Sequence, residues 1–163
     1  MPKQIAELLK NSSEPVALEN PDISVMMADI VNFTSFSDNV SAENVVKLLN
    51  NIFSRFDEVV MEYSVEKIKT IGDAYMIVAE LPEARADHAQ ILVDMSARFI
   101  EIANEYNDHE GDLIQIRIGI HSGPAVSGVI GKSKFAFDVR SQTISRKGEG
   151  VMQTILIGQP IKK

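Results

Sequence analysis

Apolar residues run almost unbroken over residues 23–30, a pattern suited to a strand buried on both faces. The polar stretch over 12–21 before it reads as a loop, and residues 1–11 read as a short helix. Ser41 is placed as an N-cap. After it, Val45, Leu49, Ile52, Phe56, Val59 and Tyr63 recur at helical spacing, and Val46, Leu48, Phe53 and Val60 widen the stripe. This spacing predicts a helix to about residue 63. Residues 66–70 and 74–79 read as two strands joined in a hairpin through Ile71-Gly72-Asp73. Pro82 opens a second long helix, with Leu92, Met95, Phe99, Ile102 and Tyr106 on one face, ending over 108–111. Residues 113–120 alternate as a strand. Ser122-Gly123-Pro124 then signals a turn, and 125–130 returns as another strand.

The order β-α-β-β-α-β predicts an α+β, ferredoxin-like fold: an antiparallel sheet with two helices on one face. The other face is left for a ligand or a partner. Residues 1–22 read as a linker, and 23–163 as one domain. Two bulk properties narrow its role. The net charge of −7 argues against a nucleic-acid binder or a protein of anionic membranes. The chain has no cysteine, which excludes disulfides and thiolate metal sites and fits a cytoplasmic location. No apolar run approaches the roughly 20 residues of a membrane span.

Candidate chemistry centres on two aspartates. Asp29 ends the first apolar run, and Asp73 sits in the hairpin 44 residues later. By position alone, each is as well read as a turn residue. The predicted fold sets the two strand ends side by side, however, and paired carboxylates there suit divalent cations and phosphoryl chemistry. The main-chain carbonyl of Ile30 adds an oxygen ligand. The Asn32-Phe33-Thr34 turn is suited to aiming N–H groups at phosphates. His88, His109 and His121 form no metal constellation and read as structural or surface residues.

The segment Met27-Ala28-Asp29-Ile30-Val31-Asn32-Phe33-Thr34 resembles the first metal motif of class III nucleotidyl cyclase catalytic domains. Glu66-Lys67-Ile68-Lys69-Thr70-Ile71-Gly72-Asp73-Ala74-Tyr75-Met76 resembles their second. Arg117-Ile118-Gly119-Ile120-His121-Ser122-Gly123-Pro124 and Gly128-Val129-Ile130-Gly131 match a later glycine-marked hairpin. The resemblance implies a two-fold dimer with composite sites. One protomer supplies metal aspartates Asp29 and Asp73, which hold two Mg²⁺ or Mn²⁺ ions; the other supplies the base pocket. It further implies that Lys69 selects the purine with Asp138 as acidic partner beside Val139. Lys147 would meet the terminal phosphates. Without the motif, Lys69 is a solvated strand lysine and Lys147 a tail lysine. A lysine donor with a carboxylate acceptor suits adenine, whereas guanylate cyclases of the family carry glutamate in place of Lys69. The implied activity is an adenylate cyclase making 3′,5′-cyclic AMP from ATP as a homodimer, with a sensor or membrane region upstream. The alternatives are a guanylate cyclase, or a non-catalytic dimerisation or nucleotide-sensing module. A diguanylate cyclase or polymerase palm shares the two-metal logic, but the chain lacks its hairpin motif.

Two departures stand out. Asn32 replaces the family's glycine, and asparagine tolerates the left-handed backbone best among other residues. After Asp138-Val139 the family continues with Trp-Gly-Asp-Thr-Val-Asn and a nearby Ala-Ser-Arg. This chain goes straight to Arg140-Ser141-Gln142-Thr143 and so lacks the ribose-orienting asparagine and the phosphate-facing arginine. Residues 133–146 contain no Gly, Pro or Asn, so they read as one strand of unusual length. That predicts a further natural segment at the junction; a true deletion is the alternative.

Overall fold

Alternation along the first strand sets the layers. In the computed structural model, which describes residues 17–79, 84–130, 136–141 and 154–157, Met26, Ala28 and Ile30 point to one face of the sheet and join its larger core. Ile23 and Val25 point to the other face and join a second, smaller core. The elements are β1 (Ala17–Ile30), α1 (Phe33–Asp38), α2 (Ala42–Glu62), β2 (Glu66–Ile71), β3 (Ala74–Ala79), α3 (His88–Ala103), β4 (Ile116–Ile130), β5 (Ala136–Ser141) and β6 (Thr154–Ile157). The strands pair in the order β2-β3-β1-β4-β5, and every pairing is antiparallel. β6 pairs with 118–121 of β4, on the edge that β5 shares further along. The α+β, ferredoxin-like arrangement expected from the pattern is present.

Helices α2 and α3 cover the larger core. Ser41 caps α2, its hydroxyl accepting from the Asn44 N–H at 3.4 Å. Ile52, Phe56, Val59 and Val60 are buried from α2, and Leu92, Met95, Phe99 and Ile102 from α3. The Phe56 and Phe99 rings stack with centroids 3.8 Å apart, and Tyr75 of β3 stands edge-on to both. Each such ring contributes about 1.5–3 kcal/mol by burial. Val46 does not belong to this stripe; it is 65% exposed, one position off the packed face.

Four boundaries differ from the sequence pattern. β1 begins at Ala17, inside the segment read as loop, because 17–20 pair with 125–128 of β4. Pairing slips between Asn20 and Ile23, where β1 carries one extra residue. That bulge accommodates Pro21, which has no N–H to donate. The signal Ser122-Gly123-Pro124 is not a turn. It faces the bulge, and β4 passes through it as one strand, with Gly123 at φ 152°. Helix α3 ends at Ala103, before the 108–111 segment, and Tyr106 packs against the core from beyond its end. The fourth is the start of the strand read over 113–120: β4 begins at Ile116, and Leu113 makes an isolated bridge to Asn107. β5 runs regularly through the Val139–Arg140 junction in register with β4. Pro82 and residues 142–146 lie outside the described residues.

Candidate active site

Asp29 is the penultimate residue of β1, and Asp73 lies in the two-residue turn between β2 and β3. Gly72 takes φ 60° at the first turn position, which a type II′ turn requires and glycine meets without strain. The strand order places β3 beside β1, so the turn reaches the end of β1. There the Ile30 N–H donates to Asp73 Oδ2 at 3.1 Å. The two carboxylates therefore converge on one strand end, as the sequence predicted.

Arg117 completes the cluster. It sits on β4 directly across from Asp29 and donates through Nε and an η nitrogen to the two carboxylate oxygens, each at 2.9 Å. This bidentate contact raises the guanidinium's affinity for its proton, and the charge of Asp73 adds to it. Sequence reasoning quoted Arg117 within a motif but gave it no role. The signal was cross-strand register, which a linear reading does not show.

The donor set suits a hard divalent ion. Two carboxylates and the Ile30 carbonyl offer oxygen atoms, and Mg²⁺ is characteristically bound by one or two carboxylates with substrate phosphates completing its shell. Among the described residues no group of three or more His, Cys, Asp or Glu side chains is placed to hold a metal ion.

Asn32 follows in the left-handed region at φ 57°, the conformation that the family's glycine would take there. Its carbonyl accepts the first helical bond of α1, from Phe36 N–H at 3.0 Å. Phe33 packs on the larger core, and Thr34 is exposed.

A second cluster lies on the face away from the helices. Lys69 Nζ donates to Asp138 Oδ1 at 2.8 Å, and the same oxygen accepts the Val139 N–H at 2.9 Å. Asp138 is 8% exposed, and Val139 is buried in the smaller core with Ile23, Val25, Met76, Val78 and Ala125. Lys69 is on β2 and Asp138 on β5, the two ends of the strand path. Their contact means that the sheet curls and brings its ends together over the smaller core. Lys147 lies outside the described residues.

His88 is structural. His88 Nδ1 lies 2.7 Å from Ser24 Oγ, which also meets Ser122 Oγ at 2.5 Å, and Nε2 lies 3.6 Å from Asp22. The composition is that of a catalytic triad, but Ser24 is fully buried and unable to reach a substrate. The contacts tie α3 to β1 and β4.

Residues 16–153 match the family model described as the adenylate and guanylate cyclase catalytic domain. This chain belongs to that family. It is 36% identical over 146 residues to an adenylate cyclase of Mycobacterium tuberculosis, an alignment covering 89% of this chain and 33% of the relative. It is 34% identical over 147 residues to a membrane guanylyl cyclase of Dictyostelium discoideum, covering 89% of this chain and 9% of that protein. Among solved structures, the catalytic core of a rhodopsin-guanylyl cyclase with converted specificity, in complex with ATPαS, superposes with a TM-score of 0.73. That match has 34% identity and covers 82% of this chain and 72% of the other. The chain thus spans about a third of the length of the mycobacterial adenylate cyclase it matches. Among the described residues no helix is long and apolar enough to cross a membrane.

Proposed function

We propose that this cyclase domain converts ATP to 3′,5′-cyclic AMP and pyrophosphate, and does so at the interface of a homodimer. The observation that carries the choice of base is the Lys69–Asp138 pair. A lysine donor beside a carboxylate acceptor matches adenine, whose N1 accepts and whose N6 amine donates; guanine presents the opposite pattern. The solved neighbours hold ATPαS in a guanylyl cyclase of converted specificity and GTP in a guanylate cyclase domain, so the scaffold takes either purine and the Lys69–Asp138 pair carries the choice.

Asp29, Asp73 and the Ile30 carbonyl would hold two Mg²⁺ or Mn²⁺ ions. Bound there, the ions supply charge neutralisation for the triphosphate and acidify the ribose 3′-hydroxyl. The rest of the site orients and balances charge. Arg117, which pairs with Asp29 here, would be free to pair with a phosphate once a metal takes that carboxylate. Backbone N–H groups at Asn32, Phe33 and Thr34 line the start of α1 beside it, and Lys147 is assigned to the terminal phosphates by its motif position. The two clusters sit on different parts of one chain, so a second copy facing the first completes each site. The domain is placed in the cytoplasm, where ATP is available, under the control of a sensor region elsewhere in the parent protein.

A second reading is a module that binds nucleotide without turnover. It is favoured by the chain's passage from Val139 to Arg140 within β5, with no counterpart of the family's asparagine and arginine. Loss of one charge-stabilising group costs about 10²–10³ in rate. A cyclic AMP assay in Mn²⁺ separates the two. Turnover that falls by at least about 100-fold in Asp73→Ala supports the enzyme; ATP binding without product supports the module.

A further inference from the structure

Lys67 and Lys69 are two apart on β2, so a regular strand would point them to the same face. They point to opposite faces. Pairing between β2 and β3 slips between Lys67 and Lys69, leaving Ile68 as an extra residue. Ile68 packs on the smaller core, and Lys69 reaches Asp138 above it. Lys67 turns instead toward α2, where its ammonium donates to Asp57 Oδ1 at 2.6 Å. The Tyr75 hydroxyl donates to the same oxygen, and the ammonium lies 4.7 Å from the centroid of the Tyr75 ring. Tyr75 is itself boxed in by Phe53, Phe56 and Phe99. Asp57, one helical residue, thus binds one residue on each strand of the hairpin. On β2 its contact falls next to the bulge. On β3 it falls two residues after Asp73.

We infer that Asp57 is a positioning residue for purine selection: by gripping Lys67 and Tyr75 it holds the β2 bulge that turns Lys69 toward Asp138. A β-bulge re-aims the side chains that follow it, and the Lys67–Asp57 contact ties this one to α2. Without Asp57, Lys67 is free to slip to the regular register, and Lys69 loses its fixed direction. Asp57 itself touches no substrate. The inference rests on the reading of Lys69 as the base-contacting lysine.

The test uses Asp57→Ala, Asp57→Asn and Asp57→Glu in the whole chain, with two measurements. Hydrogen exchange followed by mass spectrometry reports the hairpin directly. Asp57→Ala should speed exchange over 67–71 about tenfold, while 116–121 at the sheet centre keeps its protection. The ratio of kcat/KM for ATP to that for GTP should fall several-fold, chiefly through a higher KM for ATP, and Asp57→Glu should restore part of it. Unchanged exchange over 67–71 overturns the inference. So does an unchanged ratio in a chain whose wild type prefers ATP. If Asp57→Ala loses protection throughout, Asp57→Asn carries the same two outcomes, since it keeps an acceptor for Tyr75 and removes the charge facing Lys67. A wild type that does not distinguish ATP from GTP defeats the reading of Lys69 alone, and the exchange result still decides whether Asp57 anchors the bulge.

Discussion

Asn32 shows how one backbone conformation constrains a residue. In the left-handed region a side chain other than Asn or Gly meets the following carbonyl, at roughly 1–2 kcal/mol. Asn32→Ala should therefore lower stability by about 1 kcal/mol, a fall of about 3 °C in melting temperature, whereas Asn32→Gly should leave it close to wild type. Thermal melts of the two variants check this. Phe99 lies at the other extreme, stacked on Phe56 and fully buried. Phe99→Ala should cost about 3–5 kcal/mol, read from denaturant titration. Lys69→Glu reverses the sign of the group proposed to face the base. It should lower kcat/KM for ATP by at least about tenfold and favour GTP in relative terms, because a mismatched donor leaves polar groups unpaired. Steady-state kinetics with both nucleotides read this directly.

Between elements, α2 is linked at the surface to the segment just after α3 by Arg55 and Glu105, whose second contact is 3.0 Å. The hydrogen bond from Arg55 holds the Glu105 carboxyl below the usual carboxylate range. A depressed acid stabilises the fold above its unfolded pKa of about 4.3, and loses that contribution as pH falls through the folded value. Melting curves of wild type and Glu105→Gln should thus differ slightly at pH 7, converge as pH falls through the depressed folded value of Glu105, and differ less in high salt. Periodicity made both helices and the central strands legible, since buried faces repeat at 3.6 and 2 residues. It failed where two strands depart from regularity. Residues 17–22 carry Glu19, Asn20, Pro21 and Asp22, a loop-like composition that cross-strand pairing with β4 overrides. Ser122-Gly123-Pro124 has turn chemistry but is spent on facing a bulge. Asp29, Asp73, Lys69 and Asp138 were legible through their motifs. Arg117 and Asp57 were not, because their partners are 88 residues and 10 or 18 residues away and only register brings them together.

For the whole molecule, the decisive property is that one chain carries both halves of the proposed site. Asp73→Ala and Lys69→Glu proteins should each have little ATP turnover. Mixed and allowed to exchange subunits, they should regain activity, because a heterodimer pairs the intact Asp73 of one chain with the intact Lys69 of the other. With random exchange, half the dimers carry one good site of two, so the ceiling is about a quarter of the wild-type rate. A monomeric site would show no recovery. A titration of specific activity against protein concentration adds a second measure, since a composite site loses rate on dilution.

The bulge in β2 has a consequence outside chemistry. Among the described residues β2 is the outermost strand at its end of the strand path, so, apart from the contact of Lys69 with β5, its edge is a template on which another chain could extend the sheet. The strand is six residues long, carries Lys67 and Lys69, and is interrupted at Ile68. A short, charged, kinked edge is a poor seed for fibrils. The irregularity that turns Lys69 toward Asp138 thus also protects the protein from its own kind at high concentration.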